Sequence, residues 1–225
     1  MAPKLHLVHL IRERINQLGN KTALRVKQDD QWRTISWRNL GQAMDYCAQA
    51  LIYAGHKTGD MVGIYARNMP EWTQVDLGIL AARGVSVPIY PTSTLEQLHY
   101  IVQDANIDLL FVGEQPQFDQ ALILLNRGEI RQIIALDNSV DLRDCSQACY
   151  FDAFLISGHH LASEQELARR ATHYQIDDLL TLIYTSGTTG QPKGVMIDFA
   201  NVAACFEMHN TRLDLTKEDV SACSP

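Results

Sequence analysis

This sequence has no excess of basic residues: 19 Lys and Arg stand against 26 Asp and Glu, for a formal net charge of -7. A chain of that sign offers no footprint for nucleic acid, because it lacks the cations that neutralise phosphates. It also has no polybasic anchor for an anionic membrane surface. No run approaches the roughly 18 consecutive apolar residues that a membrane helix needs. The opening stretch, MAPKLHLVHLIRERINQLGN, interleaves charges from Arg12 onward and has no small-residue cleavage site, so it does not read as a secretory signal. Cysteine is scarce and odd in number, with 5 in all (Cys47, Cys145, Cys149, Cys205, Cys223). That excludes a disulfide framework and predicts reduced thiols. Cys145 and Cys149 have the spacing of one helical turn, but two thiols without further ligands make a poor zinc site. No repeat period and no low-complexity linker divides the chain. These absences predict a soluble cytoplasmic protein.

What is present suits a packed core. Of 225 residues, 46% are hydrophobic and 20% charged, outside the range of disordered chains. Leu5, Val8, Ile11, Ile15 and Leu18 recur at helical spacing and Gly19 follows as a stop. TALRVK and WRTIS flank an Asp29-Asp30 turn and predict a hairpin. Ser36 caps a helix carrying Trp37, Leu40, Met44, Cys47 and Leu51. MVGIYA, VSVPIY, DLLFVG and QIIALD read as short buried strands. Between them lie a helix opened by Pro70 and closed at Gly84, one opened by a Thr94/Gln97 capping box, and one over FDQALILLNRG. A less regular stretch follows, with Ser163 and Glu166 capping a short helix. TLIYTSG, GVMID and a helix from about Phe199 close the series. Strands alternating with helices predict an α/β fold, layered αβα, with a mostly parallel sheet.

One segment carries chemistry: Tyr184-Thr185-Ser186-Gly187-Thr188-Thr189-Gly190-Gln191-Pro192-Lys193-Gly194. It follows a strand and gathers hydroxyls and glycines around one lysine. Glycines let backbone N–H groups approach an anion, hydroxyls donate to phosphate oxygens, and the ammonium supplies mobile positive charge. A polyphosphate is the ligand this predicts. The loop is not a Walker A loop, since Gln191 and Pro192 separate Lys193 from Gly190 and Gly194 follows it. GVMID after it reads as a strand, so the phosphate is expected in a turn between two strands, without a helix dipole.

This segment resembles the phosphate-loop signature of the adenylate-forming superfamily. Ile35-Ser36-Trp37-Arg38-Asn39-Leu40 resembles that family's early helix-start motif. Leu80-Ala81-Ala82-Arg83-Gly84-Val85-Ser86-Val87-Pro88-Ile89-Tyr90 resembles its second motif. The stretches from Asn68 to Gly113 and from Asp177 to Val202 are similar to bacterial long-chain fatty acyl-CoA synthetases. The resemblance implies ATP-dependent activation of a fatty acid to an acyl-adenylate, then transfer to coenzyme A, with Mg2+ bridging phosphate oxygens. It implies that Thr185, Ser186, Gly187, Thr188, Thr189, Gly190 and Lys193 hold the β- and γ-phosphates. It also implies that residues 1–225 are the amino-terminal part of the large domain. The family's adenine pocket, ribose aspartate and catalytic lysine have no counterpart here, so no catalytic residue is assigned and the chain alone is expected to be inactive. The alternatives are a ligase for another carboxylate, or a short non-catalytic nucleotide-binding or interaction module. Substrates that partition into bilayers imply peripheral contact at the inner face of the membrane. Oligomeric state stays open.

Other residues read as structural. His159-His160 lacks a further metal ligand. Trp32, Trp37 and Trp72 suit core or lid packing. Asp177 and Asp178 suit a turn before the strand, and Lys217 a solvated surface charge.

Overall fold

The computed structural model describes residues 6–28, 30–185, 192–213, 216 and 219–222. The first helix, α1 (Leu7–Leu18), ends where Gly19 turns to φ 45°. The hairpin pairs β1 (Thr22–Gln28) with β2 (Gln31–Ser36) and stands apart as its own two-stranded sheet. Ser36 then caps α2 (Trp37–Tyr53), its side chain accepting from the Asn39 N–H at 3.1 Å.

The main sheet has seven strands in the order β7-β6-β5-β3-β4-β8-β9. Its strands are β3 (Met61–Tyr65), β4 (Val85–Ile89), β5 (Leu109–Val112), β6 (Gln132–Ala135), β7 (Ala148–Tyr150), β8 (Leu179–Thr185) and β9 (Lys193–Asp198). All neighbours are parallel except β8 and β9, which pair antiparallel. Crossovers come through α3 (Pro70–Ala81), α4 (Leu95–Asp104), α5 (Gln115–Asn126), α6 (Phe151–Ser157) and α7 (Leu161–Ala171), and α8 (Phe199–Asn210) follows β9. Leu98, Ile101, Phe118 and Leu124 of α4 and α5 bury against one face of the sheet. Met44, Leu51, Val75, Ile79, Phe154 and Leu167 bury against the other. The expected αβα layering follows, because strands apolar on both faces need helices on both.

The capping box at Thr94 and Gln97 forms as the spacing predicts. Three local expectations do not hold. Ser163 is no cap: α7 starts at Leu161, Ser163 is buried in its first turn, and Glu166 is taken up by Arg169 at 2.6 Å and Arg170 at 2.8 Å. Cys145 and Cys149 share no helix, since Cys149 lies in β7 and Cys145 precedes it. Trp32 is not packed but 65% exposed on the hairpin, while Trp37 and Trp72 do pack on the core.

The end of α3 shows why its sequence reads LAARG. Arg83, not Gly84, takes the left-handed conformation, at φ 57°. Gly84 is needed for space, because a Cβ there would stand 2.4 Å from Nε2 of the buried His56. The last carbonyls of a helix have no partner inside it. Here Tyr174 donates to Ala81 O at 2.7 Å and Arg170 donates to Ala82 O at 2.8 Å. Arg170 also donates to His56 O at 2.8 Å, and Arg83 grips Asp178 through two bonds of 3.0 Å. Asp178 is thus a partly buried anchor as well as a turn residue.

Candidate functional site

In open α/β sheets, ligands settle outside the carboxyl ends of the parallel strands. β8 runs parallel to β4 in the register Ser86 to Thr181, so Thr185 emerges at that edge. The antiparallel partner of Thr185 is Lys193. The strand pair therefore sets a hydroxyl side chain and an ammonium directly opposite each other, both exposed, at the two feet of the loop. Ser186, Gly187, Thr188, Thr189 and Gly190 lie outside the described residues. The expectation of a turn between two strands, with no helix starting at the lysine, holds at both feet.

The foot of β8 is tied down by the residue before Thr185. Tyr184 is 5% exposed, and its hydroxyl donates to Asp104 Oδ2 at 2.6 Å. Its ring meets Tyr100 edge-on, with centroids 6.4 Å apart at 90°. Burial, and then the bond to the Asp104 carboxylate, push the phenol well above its ordinary range, so it stays a donor. On the opposite strand, a Cβ at Gly194 would meet the Tyr184 ring at 3.2 Å and Leu182 at 3.0 Å. Glycine there lets β9 close over the ring. Sequence reading picks out Gly194 as part of the loop but misses Asp104 and Tyr100, whose separation from Tyr184 in the chain carries no periodic signal.

Side chains from neighbouring strands fix the rest of this edge. Tyr65, at the end of β3, donates to Ser93 O at 2.8 Å, and Gln117 of α5 donates to Pro91 O at 2.9 Å. Both pin the loop between β4 and α4. Arg67 and Glu114 pair at 2.8 Å across the loops that follow β3 and β5. The rim is thereby held from several elements before any ligand arrives, and such preorganisation lowers the ordering cost of binding.

The donor set at the two feet suits an anion: Thr185 offers a hydroxyl, and Lys193 a charge-assisted donor. Among the described residues, no group of three or more His, Cys, Asp or Glu could hold a metal. His159 and His160 are not drawn into a cluster, since they lie on Tyr46 and Tyr53 at centroid distances of 4.1 and 4.5 Å. Lys217 lies outside the described residues.

Comparison with known proteins gives a consistent picture. The profile of the family described as "AMP-binding enzyme" matches residues 11–225. The long-chain-fatty-acid–CoA ligase ACSBG2 of Xenopus laevis is 31% identical over 202 residues, covering 89% of this chain and 27% of the ligase. The chain thus spans about a quarter of the length of that relative. Among solved structures, the fatty acyl-adenylate ligase from L. pneumophila, in complex with acyl adenylate and pyrophosphate, has a TM-score of 0.70 at 24% identity, over 95% of this chain and 34% of its own. The A-PCP didomain of carboxylic acid reductase from Segniliparus rugosus, in complex with AMP, reaches 0.73 at 22% identity, over 93% and 34%. Likeness at that identity bears on the fold, and the fold agrees.

Proposed function

Given that this chain belongs to the AMP-binding enzyme family, we propose that it supplies the polyphosphate-holding part of a long-chain fatty acid–CoA ligase. The observation that carries this reading is the pair of loop feet, Thr185 opposite Lys193, at the carboxyl edge of the sheet. The naming of the Xenopus relative supports the fatty acid as the acid that is activated.

In this reading one carboxylate oxygen of the fatty acid attacks the α-phosphorus of ATP. The bond to the bridging oxygen breaks, and pyrophosphate leaves with its charge. The thiol sulfur of coenzyme A then attacks the acyl carbon of the acyl-adenylate and displaces AMP. This chain's share is positioning and charge stabilisation. Lys193 and the Thr185 hydroxyl take up charge on the β- and γ-phosphates, together with Ser186, Gly187, Thr188, Thr189 and Gly190. Mg2+ would neutralise the same oxygens. Adenine and ribose contacts and the acid–base groups are assigned to none of the described residues, so the chain alone binds nucleotide weakly and makes no acyl-CoA. No helix among the described residues is long and apolar enough to cross a membrane. We place the enzyme in the cytoplasm, in peripheral contact with the inner face of the membrane, where its substrate resides.

The test is a titration of the 15N-labelled chain with MgATP, followed by backbone amide shifts. Amides flanking the loop should move, and Lys193→Ala should weaken binding by about tenfold or more, the worth of one charge-assisted hydrogen bond. Equal binding by wild type and Lys193→Ala would remove the phosphate assignment. Acyl-CoA formation by the purified chain would remove its expected inactivity.

A further inference from the structure

The loop feet are held by an acid that no sequence motif marks. Asp104 is the last residue of α4. A negative charge at a helix carboxyl end is the wrong sign for the helix dipole. A residue that breaks a local rule signals a gain elsewhere. Here the gain is visible: Asp104 accepts the 2.6 Å bond from Tyr184, whose side chain is otherwise enclosed by Tyr100 on α4 and Gly194 on β9. Tyr100 and Asp104 are four residues apart on one face of α4, so they act on the Tyr184 ring and hydroxyl together.

We propose that Tyr100 and Asp104 form a positioning clamp on Tyr184 that fixes the strand end bearing Thr185 opposite Lys193 and so sets the affinity for polyphosphate. The inference rests on the ligase reading above. It adds α4, an element outside the loop, as a determinant of ATP binding. Asp104 touches no substrate and acts only through Tyr184. A hydrogen bond to a charged acceptor is among the stronger ones, and a hydroxyl fixed by it resists strand-end fraying. Removing the hydroxyl keeps the ring and its packing on Gly194 but frees the foot.

The experiment uses the chain as it is, with Tyr184→Phe, Asp104→Leu and the conservative Asp104→Asn. Amide hydrogen exchange at residues 183–185 and 193–195 is measured without ligand. It should quicken about tenfold in Tyr184→Phe and Asp104→Leu, while the amides of β3 and β5 keep wild-type protection. MgATP titration should then show about tenfold weaker binding in both, with partial recovery in Asp104→Asn, which keeps an acceptor. Unchanged exchange at the strand ends overturns the clamp. Faster exchange with wild-type MgATP affinity overturns its role in binding. A purely structural role would lower protection in β3 and β5 as well and leave Asp104→Asn no better than Asp104→Leu, and that pattern also overturns it. Lys193→Ala separates this failure from failure of the ligase reading: if it binds MgATP as wild type does, the phosphate assignment falls, and the clamp's effect on binding falls with it.

Discussion

His56 and His6 are imidazoles held where charge is unwelcome. Burial, as the largest cause, lowers each pKa from 6.5 to about 4. His56 is 2% exposed and packs against Gly84, and His6 lies over Tyr174 with ring centroids 4.7 Å apart. A folded pKa below the unfolded one means the unfolded chain binds protons first, so stability present above pH 6.5 drains away as pH falls toward 4. For His56 the full effect is on the order of 3 kcal/mol. Asp76 of α3 works the other way. Burial raises its pKa from 3.8 to about 6, so the folded chain takes up a proton that the unfolded chain takes only below pH 4, and stability is gained over that window. With two histidines against one acid, urea midpoints should fall between pH 6.5 and 4. His56→Gln should flatten that fall, and Asp76→Asn should steepen it while stabilising the protein at pH 7. A urea midpoint that is level down to pH 4 would contradict the assignment. None of this was legible in the sequence, where His56 sits beside Lys57, Gly59 and Asp60 and looks like part of a turn. The turn is real, with the Lys57 N–H donating to Asp60 Oδ2 at 2.7 Å. What buries His56 is the end of α3, brought in by the fold.

At the scale of elements, the alternation of strands and helices was readable because each carries its own punctuation. Pro70 opens α3, and Thr94 with Gln97 opens α4. Asp30, at φ 61°, lies between the two alternating segments of the hairpin. The stretch around β7 and α6 lacked such signals: β7 is only 3 residues long and α6 only 7. Nor could the sequence say how α7 docks. Arg170 lies 114 residues from its acceptor at His56 O and 88 from that at Ala82 O, and it pairs with Glu166 within its own helix. This one side chain joins the ends of α2 and α3 to α7. Arg170→Met keeps length and apolar packing but leaves two buried carbonyls and the Glu166 carboxylate short of donors. Each buried acceptor left without its donor costs about 1–3 kcal/mol. Thermal unfolding should show a correspondingly lower Tm, whereas Arg169→Met, on the exposed side of the same Glu166, should shift Tm little. Equal shifts for the two variants would mean that α7 is not held through Arg170.

Across the whole of the described chain, the main sheet has two edge strands, β7 at one side and β9 at the other. β9 is the last strand in the sheet order, with a single neighbour, β8. Its Met196 is 72% exposed and Val195 46%, and α8 adds exposed Phe206 and Met208. Adjacent strand residues point to opposite faces, so Val195 and Met196 leave both faces of this edge apolar. An unpaired edge with apolar faces is a template for further strands, and natural proteins normally blunt it with charge, proline or a covering element. Lys193 and Asp198, at the two ends of β9, are the only charges on it, so the middle is unguarded. The purified chain should therefore bind an apolar dye and associate with rising concentration. A lysine in place of Met196 should oppose both, because an inward or edge-facing cation makes strand addition costly. The substitution is exposed, so it should leave the unfolding free energy within about 0.5 kcal/mol of wild type. Light scattering across a concentration series decides: a steady 25.3 kDa mass without dye binding would show that this edge is already covered, and association that survives Met196→Lys would place the contact elsewhere. The same edge bears on function, because β9 carries Lys193. A strand added along β9 would constrain one foot of the phosphate loop from the side opposite Asp104, so association and MgATP binding should be coupled in this chain, each altering the midpoint of the other.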